Sequence, residues 1–144
     1  LKYDPDLAGV IARKNAPCCL MHNRKEPDYT DFIADFLKDM QETIDIAKKA
    51  GIADENIILD PGVGFGKTYE NNLEIINKLE CMHALGYPIL LGTSRKSVIG
   101  LTLDLPADQR MEGTVATTVI GVMKGVAFVR VHRLPAVWFL SAVS

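Results

Sequence analysis

The chain of 144 residues alternates between two hydrophobic periodicities. Short, continuously apolar runs stand at Pro17 to Met21, Asn56 to Leu59, Pro88 to Leu91 and Val126 to Val131. Such runs suit strands covered on both faces, as in a parallel sheet, where neither side turns to water. Between them apolar residues return at steps of three and four. From Asp31 to Ala50 the stripe is Phe32, Ile33, Phe36, Leu37, Met40, Ile44 and Ala47, with Gly51 as the stop. From Glu70 to Leu85 it is Leu73, Ile76, Leu79 and Met82, with Gly86 as the stop. A third helix, rich in Thr, Val and Ile, is expected from about Asp108 to Lys124, closed by Gly125. Pro5-Asp6-Leu7 opens a helical pattern ahead of the first strand.

Strand starts fall roughly 32 to 39 residues apart, the length of a βα unit. That rhythm means parallel strands joined by right-handed crossovers. An open doubly wound sheet and a stretch of a (β/α)8 barrel both fit. A full barrel takes about 250 residues, so this length holds about half of one. The chain opens on Leu1, with no strand before its first helix, and closes on the apolar stretch Ala136-Val137-Trp138-Phe139-Leu140. Both ends read as cut, which favours the half barrel. Residues 1–132 read as the partial domain and 133–144 as an atypical apolar tail.

Composition narrows the partners more than the chemistry. With 16 Lys and Arg against 18 Asp and Glu, the net charge of −2 offers no basic face for nucleic acid. No apolar run reaches the ~18 residues of a membrane span. The three cysteines, two of them adjacent, cannot frame a disulfide scaffold or a metal knuckle. The expectation is a water-soluble protein of a reducing compartment, such as the cytoplasm.

In either architecture ligands sit at the carboxyl ends of parallel strands, and there the polar residues collect. His22-Asn23-Arg24 follows the first strand, Asp60 and Pro61-Gly62-Val63-Gly64-Phe65-Gly66-Lys67 the second, and Gly92-Thr93-Ser94-Arg95-Lys96-Ser97 the third. Arg130 and His132 lie on the fourth. A carboxylate at a buried strand end is costly unless it meets donors. Asp60 therefore either accepts the N–H edge of an amidine-like ring or caps the loop amides that follow it. The glycine loop fails both phosphate-loop patterns, because Pro61 and Lys67 stand where glycines are needed. Its glycines allow a tight turn that either holds Phe65 over a flat ligand or buries it. Arg95, Lys96 and Ser97 suit an anion. Arg130 and His132 share one strand face and either offer charge and a second donor to a pyrophosphate leaving group or stand in water on a frayed last strand. His22 reads as structural, His83 as a surface residue, and the cysteines as small buried hydrophobes.

The stretches Leu59 to Lys67, Leu91 to Ser97, Arg130-Val131-His132 and Leu20-Met21-His22 resemble the dihydropteroate synthases of the pterin-binding family. The resemblance implies a TIM (β/α)8 barrel, of which this chain covers the back half, from helix 4 to strand 8. It implies condensation of p-aminobenzoate with 6-hydroxymethyl-7,8-dihydropterin pyrophosphate in folate biosynthesis, with Mg2+ and release of pyrophosphate. Asp60, Lys96, Met21 and Gly92 would then hold the pterin. Phe65, Gly64 and Ser97 would form the p-aminobenzoate slot, where sulfonamides compete. Arg130 and His132 would hold the pyrophosphate, and Lys96, Arg130 and His132 would carry the catalysis. The Mg2+ ligand, the mobile loops and a further pterin-binding Asp and Asn belong to the family's first four strands, outside this chain. A homodimer is compatible with the resemblance. Arg133-Leu134-Pro135 departs from the family's continuation into a final helix. The isolated chain is therefore expected to be inactive. Two other readings are a corrinoid-linked methyltransferase domain and a non-catalytic scaffold module.

Overall fold

The structure, a computed structural model, describes residues 1 and 4–132. The apolar tail expected over 133–144 lies outside the described residues. Helix α1 (Pro5–Lys14) starts where the Asp4 carboxylate accepts from the amides of Asp6 and Leu7, with Pro5 in the first turn. Strand β1 (Cys18–Met21) leads to helix α2 (Phe32–Lys49), capped by Asp31. Phe32, Phe36, Met40, Ile44 and Ala47 form its buried stripe, as their spacing predicts. Strand β2 (Ile57–Asp60) is followed by helix α3 (Tyr69–Asn77), which opens on a reciprocal Thr68–Asn71 capping box. Strand β3 (Leu90–Leu91), helix α4 (Ser97–Leu103), helix α5 (Met111–Met123) and strand β4 (Phe128–Val129) complete the described chain.

Three expectations need correction. The helix expected from Glu70 to Leu85 is two pieces: α3 ends at Asn77, and Leu79–Leu85 winds as a 3-10 helix. Three residues per turn place Leu79 and Met82 on one line, and both are fully buried. The helix expected from Asp108 begins at Met111, after a 3-10 turn over Ala107–Gln109. The four strands are shorter or shifted by a residue, β4 most of all.

The four strands run parallel. β1 pairs with β2 in the register Cys18 to Ile57 through Met21 to Asp60. A bridge between Leu59 and Ile89 continues to β3, and β3 pairs with β4. Spatial order thus follows chain order with no reversal. A doubly wound sheet needs a reversal at its switch point, so this is the barrel alternative. One sheet face, with Leu20, Ile57, Leu59 and Leu91, is buried under the helices. The other carries Cys19, Met21, Ile58 and Phe128, which stay partly or largely exposed. Helix α5 buries Thr114 and Thr118 by bonding each hydroxyl to the carbonyl four residues back.

Candidate active site

Asp60 closes β2 with 4% of its surface exposed. Its Oδ1 accepts the Gly62 N–H at 2.7 Å, and its Oδ2 lies 3.5 Å from Arg130 Nη2. Burial pushes the carboxyl up from its ordinary pKa, while the Gly62 amide and the cations Arg130, Lys96 and Lys67 pull it back. The loop-cap and ligand readings of Asp60 therefore share one side chain. One oxygen binds the loop, and lone pairs on both remain for a ligand. Met21 lies beside Asp60 in register on the neighbouring strand.

Arg130 follows β4, and its guanidinium lies flat against Gly92. A Cβ at position 92 would stand only 3.0 Å from Arg130 Nη2, so the glycine makes the room. Lys96 runs past Gly64 and places its Nζ 4.1 Å from the Phe65 ring centroid, within cation–π range. Burial and the nearby Arg130 charge lower the Lys96 pKa, and Asp60 partly restores it. His132 donates its backbone N–H to Ser94 Oγ at 3.2 Å, and its Nδ1 shares a 2.9 Å hydrogen bond with the same oxygen. A cavity of about 410 Å³ is lined by Phe65, Gly92, Ser94, Lys96, Arg130, Val131 and His132.

Residues from three strand ends thus meet around one cavity, with Asp60 at its Arg130 side. Ser97 stands apart. It opens α4 and lines a second cavity of about 450 Å³ with Asp104, Leu105 and Arg110. His83 accepts no role at the cavity. It is exposed and bonds the Lys124 carbonyl at the end of α5. Among the described residues no three His, Cys, Asp or Glu side chains converge as a metal site. The described residues therefore do not by themselves fit a Mg2+ centre.

Sequence reasoning missed four participants. Ser94 orients His132, and its place in the Gly-Thr-Ser run was the available signal. Arg110 donates to the carbonyls of Leu105, Arg95 and Lys96, which ties the loop after β3 to the start of α5. Lys67 and Asp39 flank His22. His22 Nε2 lies 3.1 Å from Asp39 Oδ2, and its Nδ1 lies 2.8 Å from Lys67 Nζ. Burial and the Lys67 charge lower the His22 pKa to about 4, so the ring is neutral. Burial lowers Lys67 to about 7 against the pull of Asp60 and Asp39. Burial alone would raise Asp39, but hydrogen bonds from Arg24 and His22 outweigh it and hold the carboxyl below its usual range.

The sequence profile of the pterin binding enzyme family matches residues 1–132. The dihydropteroate synthase of Clostridium beijerinckii is 64% identical over 132 residues, covering 91% of this chain and 49% of that protein. Among solved structures, the Clostridium difficile dihydropteroate synthase in the presence of pteroic acid superposes with a TM-score of 0.91 at 44% identity. That match covers 97% of this chain and 55% of the other. The Xanthomonas albilineans dihydropteroate synthase with 4-aminobenzoic acid gives a TM-score of 0.91 at 34% identity, covering 97% and 52%. The chain spans about half the length of the relatives it matches. Its four parallel strands and the helices between them correspond to that share of a TIM barrel.

Proposed function

The chain belongs to the pterin-binding enzyme family, and from that membership we propose that it carries the pterin and pyrophosphate subsites of a dihydropteroate synthase. The observation that carries this reading is the meeting of Asp60, Lys96, Arg130 and His132 around one cavity walled by Phe65. A buried carboxylate with free lone pairs suits the amino and ring N–H edge of a pterin. Met21 and Gly92 lie beside it on the same rim, and Lys96 suits the pterin carbonyl. Arg130 and His132 offer donors to a pyrophosphate. Phe65 and Gly64 would wall the p-aminobenzoate slot, and Ser97 at the start of α4 would receive its carboxylate.

In the reaction the aryl amine nitrogen attacks the pterin methylene carbon. The bond from that carbon to the pyrophosphate oxygen breaks, the electron pair leaves with pyrophosphate, and the amine loses a proton. Lys96, Arg130 and His132 lower the barrier by stabilising negative charge on the departing group, and the slot positions the amine. No side chain acts as a covalent nucleophile. A cytoplasmic setting and a homodimer go with this reading, the second open to sedimentation velocity.

Calorimetric titration with 6-hydroxymethylpterin pyrophosphate, beside an Asp60→Ala control, tests it. The expected result is saturable binding that the substitution weakens by about 100-fold, the scale of a lost charged hydrogen-bond pair. Equal affinity in the two proteins would refute the assignment of the pterin to Asp60.

A further inference from the structure

Lys67 follows the last glycine of the loop after β2 and sends its side chain back beneath it. Its Nζ lies 2.8 Å from His22 Nδ1, 3.1 Å from the Gly62 oxygen and 3.0 Å from the Phe65 oxygen. When protonated, the Lys67 amine has three N–H donors and no acceptor, and three acceptors meet it. Because Nδ1 accepts, His22 carries its proton on Nε2 and donates it to Asp39 Oδ2. Asp39 also accepts from Arg24 Nε at 2.6 Å. The Arg24 guanidinium sits 4.4 Å from the Tyr29 ring centroid, and the Tyr29 hydroxyl donates to the Gly66 oxygen at 2.6 Å. Contacts have then returned to the residue next to Lys67. The circuit ties the loop after β1 to the loop after β2.

Gly66 makes the closure sterically possible. Its φ is +55°, and a Cβ there would overlap the Arg24 backbone. Burying a lysine and a histidine side by side costs free energy that a packed apolar pair would not. Neither Lys67 nor His22 lines the cavity. Lys67 does hold the carbonyl of Phe65, whose ring packs against Lys96 Nζ at the wall of the cavity.

We propose that Lys67 is a positioning residue. By tethering the Gly62 and Phe65 carbonyls to His22, its ammonium sets the turn that keeps the Phe65 ring opposite Lys96. The Asp60–Gly62 bond spans two residues and does not need Lys67, so the effect falls on the p-aminobenzoate side and spares the pterin. The proposal deepens the function proposed above and rests on it for what enters the cavity that Phe65 and Lys96 line.

Nuclear magnetic resonance of the chain tests the geometry without any ligand. Long-range proton–nitrogen correlations on the His22 ring are expected to show the Nε2–H tautomer, and an Nδ1–H tautomer would overturn the proposal. Lys67→Met keeps the apolar stem and deletes the three donors. In that variant the nuclear Overhauser contact between the Phe65 ring and the Lys96 ε-protons should fall several-fold, and an unchanged contact in a folded variant overturns the idea. If the Met variant does not fold, Lys67→Leu, which also lacks the donors, carries the same comparison. With 6-hydroxymethylpterin pyrophosphate bound, p-aminobenzoate should bind Lys67→Met about tenfold more weakly, while the pterin's own affinity stays within threefold. A merely structural lysine would lower the melting temperature and leave that ratio unchanged. A wild-type chain that binds no pterin would sink the proposed function, and the resonance measurements would still decide the role of Lys67.

Discussion

Arg130 touches both the carboxylate of Asp60 and the bare backbone of Gly92, so its removal separates two kinds of ligand contact. Arg130→Ala is expected to weaken binding of pterin pyrophosphate by about 10- to 100-fold, as charged hydrogen bonds are worth ~1.5–3 kcal/mol. Binding of 6-hydroxymethylpterin, which lacks the phosphates, should change little. Calorimetry with both compounds checks it, and an equal loss for both would move Arg130 to the pterin itself. At this scale the site was legible where chemistry follows from strand ends. Asp60 ends one apolar run, Lys96 follows another, and Arg130 and His132 lie within and just after the last, where alternation put both on one face. The circuit through Lys67 was not legible. His22 and Lys67 are 45 residues apart, and Asp39 lies on a helix between inward-facing Phe36 and Met40. One sequence carries no sign of which distant polar residues will pair.

Among the elements, α2 was readable because five buried residues repeat at helical spacing over eighteen positions. Helix α4 is seven residues long, has Gly100 at its centre and no side-chain cap at its start, so neither propensity nor a start signal announced its full extent. Strand β4 pairs over two residues only, although its apolar run is longer, and no residue of that run is buried, Phe128 being 47% exposed. Helix α3 does have a start signal. Thr68→Ala removes the hydroxyl half of the Thr68–Asn71 box, and about 1 kcal/mol of stability should go with it. Urea unfolding is the check. A change below a few tenths of a kcal/mol would mean that packing of Ile75 and Ile76 holds the helix start without its cap.

For the whole molecule, the sheet order decided what the βα rhythm left open, because both architectures share the same rhythm and differ only in where each strand is laid. Stability against pH is also a property of the whole chain. Unfolded, His22 takes up a proton below about pH 6.5. Folded, it stays neutral down to about pH 4. The unfolded chain then binds more protons in that window, so stability falls as the pH drops from 6.5 towards 4, by roughly 3 kcal/mol in total. Melting temperatures measured from pH 7 to 5 should decline in the wild type and flatten in His22→Gln. Parallel slopes would assign the acid lability to other groups. Catalysis is expected to need more than these four units. The purified chain should release no pyrophosphate at steady state while still binding the pterin, and release would mean that two copies complement each other.

The cavity draws on three separate strand ends: Phe65 after one, Lys96 after the next, then Arg130. No single βα unit holds enough of the pocket to bind anything. A small molecule that fits it can therefore act as a clasp on assembly, because it rewards only chains in which every unit has docked. Inside a cell the supply of such a molecule would set how long the chain survives proteolysis, before any bond in it is made or broken.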